Sequence, residues 1–597
     1  MLCDKIDSAA ESHVVKNFVN SGKVLKGEPE GAEFRGMVFQ DSDAAKWLEA
    51  AAYSPALKTD PELRKKAEDL IELIENAQDS DGYLNTFYTI KDKEKRWTNL
   101  LEGHELYCSG HMIEAGCAFY EATGNRRLLD ICEKNALHIY RVFIENGHEG
   151  YPGHPEIELA LLKLYDLTKN EKYLTLAKHF IDVRGVDSDF FIKEAKERHW
   201  SVWNGDGRNK HYQQSHLPVR QQSDAVGHSV RAVYLYTAMA DLAQKTQDKE
   251  LFDSCKRLWE SIVQKRMYVT GGIGSTVHGE AFTEDYDLPS DTAYAETCAS
   301  IGLVFFASKM LQNELKGEYA DIMELSFYNT VLAGMEHDGK RFFYVNPLEV
   351  VPGITGQAVT HRHVLTQRPG WYTCACCPPN VARLINSLGK YAYGENSTTA
   401  FCHLFAGGDV KFENGIHLSC KTAYPYGSDI SYKATGKGKL AVRIPRWSKN
   451  TAFVFNNKRI TPQTDNGYAV FEINGEAELE INLDCKPRIL YPNPKIPTLS
   501  KTACLMKGPL VYCFEGNDNK GDVLSLSLDT AEKIEEKESD ILGGTVILEA
   551  KGFRQTASAE LYSEIPPAFS KETLTAIPYY LWGNRGVNQM RVWLPVK

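Results

Sequence analysis

An excess of positive charge is what the chain most clearly lacks. Lys and Arg total 68 against 79 Asp and Glu, for a net charge of −11. A surface of that sign repels a phosphate backbone, which argues against a nucleic-acid partner. No window of 18 consecutive apolar residues exists, so no membrane span is expected. The opening run MLCDKIDSAAESHVV has no basic stretch followed by an apolar one, so no secretory signal is read there. Disulfide density is missing too. Fourteen cysteines in 597 residues are mostly scattered singly, as buried thiols of a reducing compartment are, and the expected location is cytoplasmic. With 43% hydrophobic and 25% charged residues, the composition excludes collagenous, coiled-coil and largely disordered chains. What is plentiful is aromatic: 30 Tyr and 9 Trp suit a ligand that offers CH faces as well as hydroxyls.

Length allows two or three domains. From about residue 40 to 390 apolar residues recur at helical spacing, as in Ala67–Ala77, His111–Glu121, Ile157–Leu167, Val230–Ala243 and Leu251–Val263. A weak repeat lies on these helices: YEATGNRRLL from Tyr120, YDLTKNEKYL from Tyr165 and LAQKTQDKELF from Leu242. Each reads as a helix ending near a Thr, a polar turn with Asn or Asp, and a new helix starting at a Leu, Tyr or Phe. Such αα-hairpins stack into an open solenoid or close into a toroid, and periodicity does not choose between them; six hairpins need about 350 residues, which fits this stretch. After about residue 395 the texture turns to alternating strands, KLAVRIPRW, AVFEI and ELEINL, with Asn466–Gly467 and Asn474–Gly475 read as turns. Leu510–Phe514, LVYCF, reads as a buried strand, and Asp529–Asp540 as a charged helix or loop.

The sharpest local signal is Cys374-Ala-Cys376-Cys377-Pro378-Pro379-Asn380. Proline belongs in the first turn of a helix, which puts Cys376 and Cys377 at a helix N-terminus, where the dipole favours thiolate. Clustered thiols suggest a soft metal, zinc above all. Glu296-Thr-Cys298 could complete a tetrahedral set of Glu296, Cys298, Cys376 and Cys377, leaving the site net negative and its sulfurs electron-rich. A purely structural zinc, plain buried thiols, a disulfide and a catalytic thiolate all remain open readings.

His104 and His111 in GHELYCSGH, His154 in YPGHPEIE and His228 in QQSDAVGHSVR each stand 12–19 residues before a repeat Thr, at the starts of one class of helix. In a closed ring those starts gather at one mouth, and His, Gln and Glu there suit a polyhydroxylated ligand; the alternative is that each is a cap or core residue. Glu280 ends the Gly-rich run GGIGSTVHGE, which lacks the GK[ST] ending of a phosphate loop. It is either a general acid or a solvated loop carboxylate, on a stretch expected to be flexible.

Taken together, GGIGS…GE, AETCAS, FFYVNPL and CACCPPN resemble glycoside hydrolase family 127, the β-L-arabinofuranosidase group, from the helical region into the β tail. The resemblance implies a multidomain α+β chain: an (α/α)6-barrel catalytic domain over 1–394, a β-sandwich over 395–500, and a second sandwich or continuation over 501–597. It implies a retaining mechanism with Cys376 as nucleophile and Glu280 as acid/base. It places Zn2+ on Glu296, Cys298, Cys376 and Cys377, and the sugar on His104, His154, His228 and Tyr344. The expected partner is a small oligosaccharide or glycoside carrying terminal β-L-arabinofuranose, with a homodimer as a further expectation. Three readings compete with it: the same chemistry on another furanose or deoxy sugar, an epimerase or unsaturated-uronide hydrolase on the same barrel, and a carbohydrate-binding protein stapled by structural zinc.

Overall fold

Thr123, Thr168 and Thr246 close three helices in the same way in the computed structural model, which describes residues 13–556 and 558–597. Each threonine hydroxyl donates to the carbonyl four residues back, at 2.6–2.8 Å. The next residue, Gly124, Lys169 or Gln247, takes a left-handed conformation (φ 72°, 58° and 55°) and stops the helix. The Asn125, Asn170 or Asp248 side chain then accepts a backbone N–H at the start of the following helix, Asn170 and Asp248 as its N-cap. The repeat in the sequence is thus a hydrogen-bonded hairpin device. The new helices begin at Arg127, Glu171 and Lys249, one or two residues ahead of the apolar residue that signals them.

The chain divides into two compact units. One contains the described chain from His13 to Gln264 with His278–Phe282 and Pro369–Ser387. Its inner helices are α1 (Asp41–Tyr53), α2 (Glu105–Thr123), α4 (Ile157–Thr168) and α6 (Ser229–Thr246), packed side by side in that order. They are backed by α3 (Arg127–Tyr140), α5 (Glu171–Val183) and α7 (Lys249–Ser261), while α10 (Cys377–Asn386) packs on the other side of α1. Burial explains the division of labour. Helix α2 is buried continuously from Glu105 to Phe119, whereas α7 buries one face through Leu251, Cys255, Leu258 and Trp259. Gly110 lets α2 meet the start of α4, since a Cβ there would stand 2.7 Å from Glu156 Cγ.

The other unit comprises Lys265–Val277, Thr283–Arg368 and Leu388–Lys597. Among the described residues it holds the pair α8 (Thr297–Asn313) and α9 (Gly317–Ser326) and two mainly antiparallel sheets of nine and ten strands. In the first sheet, β1 (Asp429–Arg443) pairs with β2 (Tyr468–Asn482) along its whole length. Asn466–Gly467 makes the expected turn, but Asn474–Gly475 does not: Gly475 lies mid-strand opposite Gly436, and the two form one long ladder rather than two short ones. In the second sheet, β3 (Thr502–Lys507) and β4 (Leu510–Glu515) are buried on both faces. Val511 and Cys513 join a core with Ala295 and Phe343, while Leu510, Tyr512 and Phe514 face Leu548 and Leu574. That two-sided burial is why LVYCF does not alternate. Within Asp529–Asp540 the expected helix or loop is instead partly β5 (Glu535–Ser539), a strand paired with Thr545–Glu549. It is exposed on both faces, so no apolar period marked it. Among the described residues no helix is long and apolar enough to cross a membrane.

Candidate active site

At the inner-helix starts of the first unit, backbone hydrogen bonds fix the tautomer of each histidine. His104 precedes α2 in a left-handed conformation (φ 54°), and its Nδ1 lies 2.6 Å from the carbonyl of Glu102. His154 Nδ1 lies 2.9 Å from the carbonyl of Pro155. A carbonyl only accepts, so Nδ1 carries the proton in both rings and Nε2 is left as an acceptor. Burial, with the Arg231 guanidinium adding to it, pushes His104 down to about 3 and His154 well below the usual imidazole range, so both stay neutral. His228 is the reverse. It caps α6, its Nδ1 accepting from the N–H of Val230 (3.2 Å) and Arg231 (3.4 Å), so the proton is on Nε2, 2.8 Å from Glu280 Oε2. The three rings form a row, with centroids 5.9 Å (104–154) and 5.6 Å (154–228) apart. Gly153 is required beside them, because a Cβ would stand 2.3 Å from the carbonyl oxygen of Leu101.

Glu280 is not a solvated residue on a loose loop. Its carbonyl accepts from both Ser229 N and Ser229 Oγ at 3.0 Å, its side chain is 35% exposed, and its backbone is left-handed (φ 54°). A glutamate held there is strained, and such strain concentrates at functional sites. The preceding glycines are not a flexible loop either: Gly271–Ser275 is buried, and a Cβ on Gly271 would stand 2.6 Å from Ser326 Cα.

Cys376 is the N-cap of α10, Cys377 opens the helix, and Pro378 and Pro379 fill its first turn, as the sequence implies. Their sulfurs are 3.8 Å apart, too far for a disulfide. Two sulfurs at about 2.3 Å from one tetrahedral zinc would stand about 3.8 Å apart, so the pair fits that metal. Cys377 is buried and Cys376 partly exposed. The Cys374 thiol is pushed well above its ordinary range by its interaction with Cys376, and burial adds to this. Asp43, which no motif marked, is buried in α1; burial pushes its carboxyl up to about 7 against the pull of Lys46, and charge on Cys376 adds to the rise.

Beneath this layer lies a second one, built on Arg383, of which the sequence marked His111, and that as a helix-start residue. Arg383 of α10 bonds Glu49 of α1 (2.9 Å), Glu114 of α2 (2.5 Å) and Tyr234 of α6 (3.2 Å), and so ties the cysteine-bearing helix to three inner helices. His111 belongs here, fully buried with Nδ1 3.0 Å from Glu156 Oε1. Glu114 stays ionised on Arg383, while burial and the Glu114 charge keep a proton on Glu156. The donors His111, Glu114 and Glu156 could also suit a metal, but Arg383 already neutralises Glu114. The one available signal was an arginine inside the apolar run VARLIN.

In the other unit Glu296 is the N-cap of α8, and Cys298 lies in its first turn; both are buried. FFYVN is the strap that holds them. Thr297 N donates to the Tyr344 carbonyl (3.0 Å), Thr297 Oγ1 to the Phe343 carbonyl (2.9 Å) and Asn346 Nδ2 to the Ala295 carbonyl (2.9 Å), with Ala295 itself left-handed at φ 38°. Tyr344 is partly exposed, its ring 6.1 Å from that of Tyr294. As a donor set, Glu296, Cys298, Cys376 and Cys377 could hold a metal ion.

Comparison with known proteins agrees with these motifs. Residues 1–390 match the family model of the beta-L-arabinofuranosidase GH127 catalytic domain, 399–486 that of the GH127 middle domain and 487–595 that of the glycoside hydrolase family 127 C-terminal domain. A non-reducing end beta-L-arabinofuranosidase of Bifidobacterium longum subsp. longum is 40% identical over 618 residues, spanning 98% of this chain and 92% of that one. A solved GH127 beta-L-arabinofuranosidase from Geobacillus stearothermophilus T6 is 44% identical with a TM-score of 0.94, over 100% of this chain and 95% of that one. A second solved GH127 beta-arabinofuranosidase is 32% identical with a TM-score of 0.87, over 100% and 93%. The fold class is the one the sequence leads to, a helical N-terminal region of the (α/α)6-barrel type followed by antiparallel β-sheet domains.

Proposed function

The chain belongs to glycoside hydrolase family 127, a family of glycosidases, and on that footing we propose that it is a retaining exo-hydrolase releasing terminal β-L-arabinofuranose from plant-derived arabino-oligosaccharides. The observation that carries the reading is the pairing of Glu280, on its strained and doubly anchored backbone, with the Nε2–H of His228. That N–H orients the Glu280 carboxyl, which carries the transferable proton of the acid. Glu280 gives it to the glycosidic oxygen as the bond to the anomeric carbon breaks. The Cys376 sulfur forms a bond to that carbon. In the second half Glu280 takes a proton from water, the water oxygen bonds to the anomeric carbon and the C–S bond breaks. His104 and His154 hold sugar hydroxyls through their Nε2 acceptors, and Tyr344 contributes a further contact. Glu296, Cys298, Cys376 and Cys377 would hold Zn2+, whose chemistry is to keep thiol ligands deprotonated and make a bound sulfur a better leaving group.

Native mass spectrometry tests both parts. After reaction with a mechanism-based arabinofuranoside inhibitor, the expected spectrum shows one zinc per chain and one sugar adduct, which peptide mapping locates on Cys376. An adduct on any carboxylate would reject the cysteine mechanism, and a zinc-free active chain would reject the metal assignment.

A further inference from the structure

The two neutral rings that offer Nε2 as an acceptor stand on separate segments. His104 follows a turn over residues 99–103, and His154 follows Gly153. One short helix behind them, Phe190–Glu197, grips both. Its Glu194 carboxylate, with a side chain 10% exposed, takes two consecutive backbone N–H groups: Oε1 accepts from Leu100 and Oε2 from Leu101 (3.2 Å). Arg198, which ends the helix, donates to the Asn99 side chain and stands 3.3 Å from the Glu102 carboxylate. Asn99 accepts from Glu102 N through its side chain (3.0 Å) and from Gly103 N through its carbonyl (2.9 Å), and the Glu102 carbonyl sets the His104 tautomer.

The same turn reaches the second ring. The Leu100 carbonyl accepts from Gly153 N (2.9 Å), and the Gly153 carbonyl from Arg231 Nη1 (2.9 Å). The peptide joining Leu100 to Leu101 therefore has its N–H on Glu194 and its C=O on Gly153. Phe190 and Phe191 of the Glu194 helix pack on Tyr151, with centroids 5.2 and 4.9 Å away, so the helix also holds the His154 segment directly. Hydrogen bonds to an ionised carboxylate are roughly twice as strong as neutral ones, which makes Glu194 the firmest point of this chain. Two acceptors held at a fixed spacing bind a sugar without the entropy cost of ordering them.

We propose that Glu194 is a positioning residue for substrate binding: by fixing the Leu100–Leu101 peptide it sets the spacing and angle of the His104 and His154 acceptors, which two hydroxyls of the terminal sugar must match. The inference rests on the reading of those rings as hydroxyl acceptors given above. Glu194 touches no substrate; it acts through the backbone that carries the two rings.

Glu194→Gln tests it, because the amide has the same size but sets its NH2 against one of the two N–H groups. On a nitrophenyl β-L-arabinofuranoside, KM is expected to rise about tenfold while kcat stays within about twofold of wild type. Glu194→Asp, which keeps the charge but is one methylene short, should raise KM about threefold, and it carries both measurements if the Gln variant does not fold. An unchanged KM, or a fall in kcat alone, would overturn the proposal. NMR of 15N-histidine-labelled protein reads the same claim without turnover. In either variant the Nδ1–H groups of His104 and His154 should exchange with solvent about tenfold faster, while the ring N–H of His403, held against Tyr468 in the β region, should not change. Faster exchange at all three would mean general loosening and overturn the positioning role, as would unchanged exchange at His104 and His154. The spectrum is read even if wild-type protein cleaves no arabinofuranoside, a result that would sink the hydrolase reading instead.

Discussion

Arg383 and Arg443 are the same device used in two regions. Each is a fully buried guanidinium between two carboxylates, Glu49 and Glu114 for Arg383, Asp321 and Glu324 for Arg443. In both, opposite charge outweighs burial and holds the arginine above its ordinary range. The difference lies in what each one fixes. Arg383 sits on the helix that begins with Cys376 and Cys377 and ties it to α1, α2 and α6. Arg443 ends β1 and ties the first sheet to α9, with Tyr424 OH also on Glu324 at 2.6 Å. A buried ion pair is therefore no mark of a site; its neighbours decide. The sharpest way to break the contrast is at the mouth itself. Glu280→Gln keeps the hydrogen bonds of the Glu280 backbone carbonyl and removes only the acid. Turnover is expected to fall about 10³-fold with an unchanged melting temperature, and recovery of near-wild-type turnover would dissolve the functional side of the comparison.

The arginines come next. Arg383→Met and Arg443→Met each strand two buried carboxylates and are expected to cost about 3–5 kcal/mol in denaturant unfolding. Assayed on the folded fraction, Arg383→Met should also lose turnover, because the cysteine helix is no longer pinned, whereas Arg443→Met should keep it. Equal turnover in the two variants would mean that Arg383 is packing alone.

The two regions were also unequally legible. In the helical unit, the Thr–turn–Asn/Asp repeat encodes local hydrogen bonds, and Pro378–Pro379 encode a helix start, so both could be read from neighbouring residues. Arg383 could not, and Glu280 reads as either a general acid or a loop carboxylate until the family resemblance decides, because what defines them is long-range: Ser229 and His228 are about 50 residues from Glu280, and Glu49 is 334 from Arg383. In the β unit the reading failed where local chemistry was overridden. Asn474–Gly475 has turn composition, yet Gly475 sits opposite Gly436 and the ladder runs on. Glu535–Ser539 has neither face buried, so no pattern could disclose it.

The smallest effect tests whether a displaced pKa can locate a site. His403 in the β region is pushed down to about 3, by burial first and then by Arg443, the same value His104 reaches at the mouth. Yet His403 has an ordinary backbone and a settled partner, Tyr468 OH at 2.7 Å from Nδ1, whereas His104 is left-handed and keeps Nε2 as a bare acceptor toward the row of rings. Each lowers stability in acid by the same linkage. The unfolded chain takes the proton first, so the contribution is whole above the unfolded pKa of about 6.5 and is lost as pH falls toward 3. Between pH 7 and pH 5 the loss from one such group is about 2 kcal/mol. His403→Asn should flatten the pH dependence of unfolding over that range by about this much while leaving turnover intact, and His104→Asn should flatten it similarly but raise KM. If His403→Asn also raised KM, a low histidine pKa would be doing in the β region what only the exposed acceptor at the mouth is expected to do.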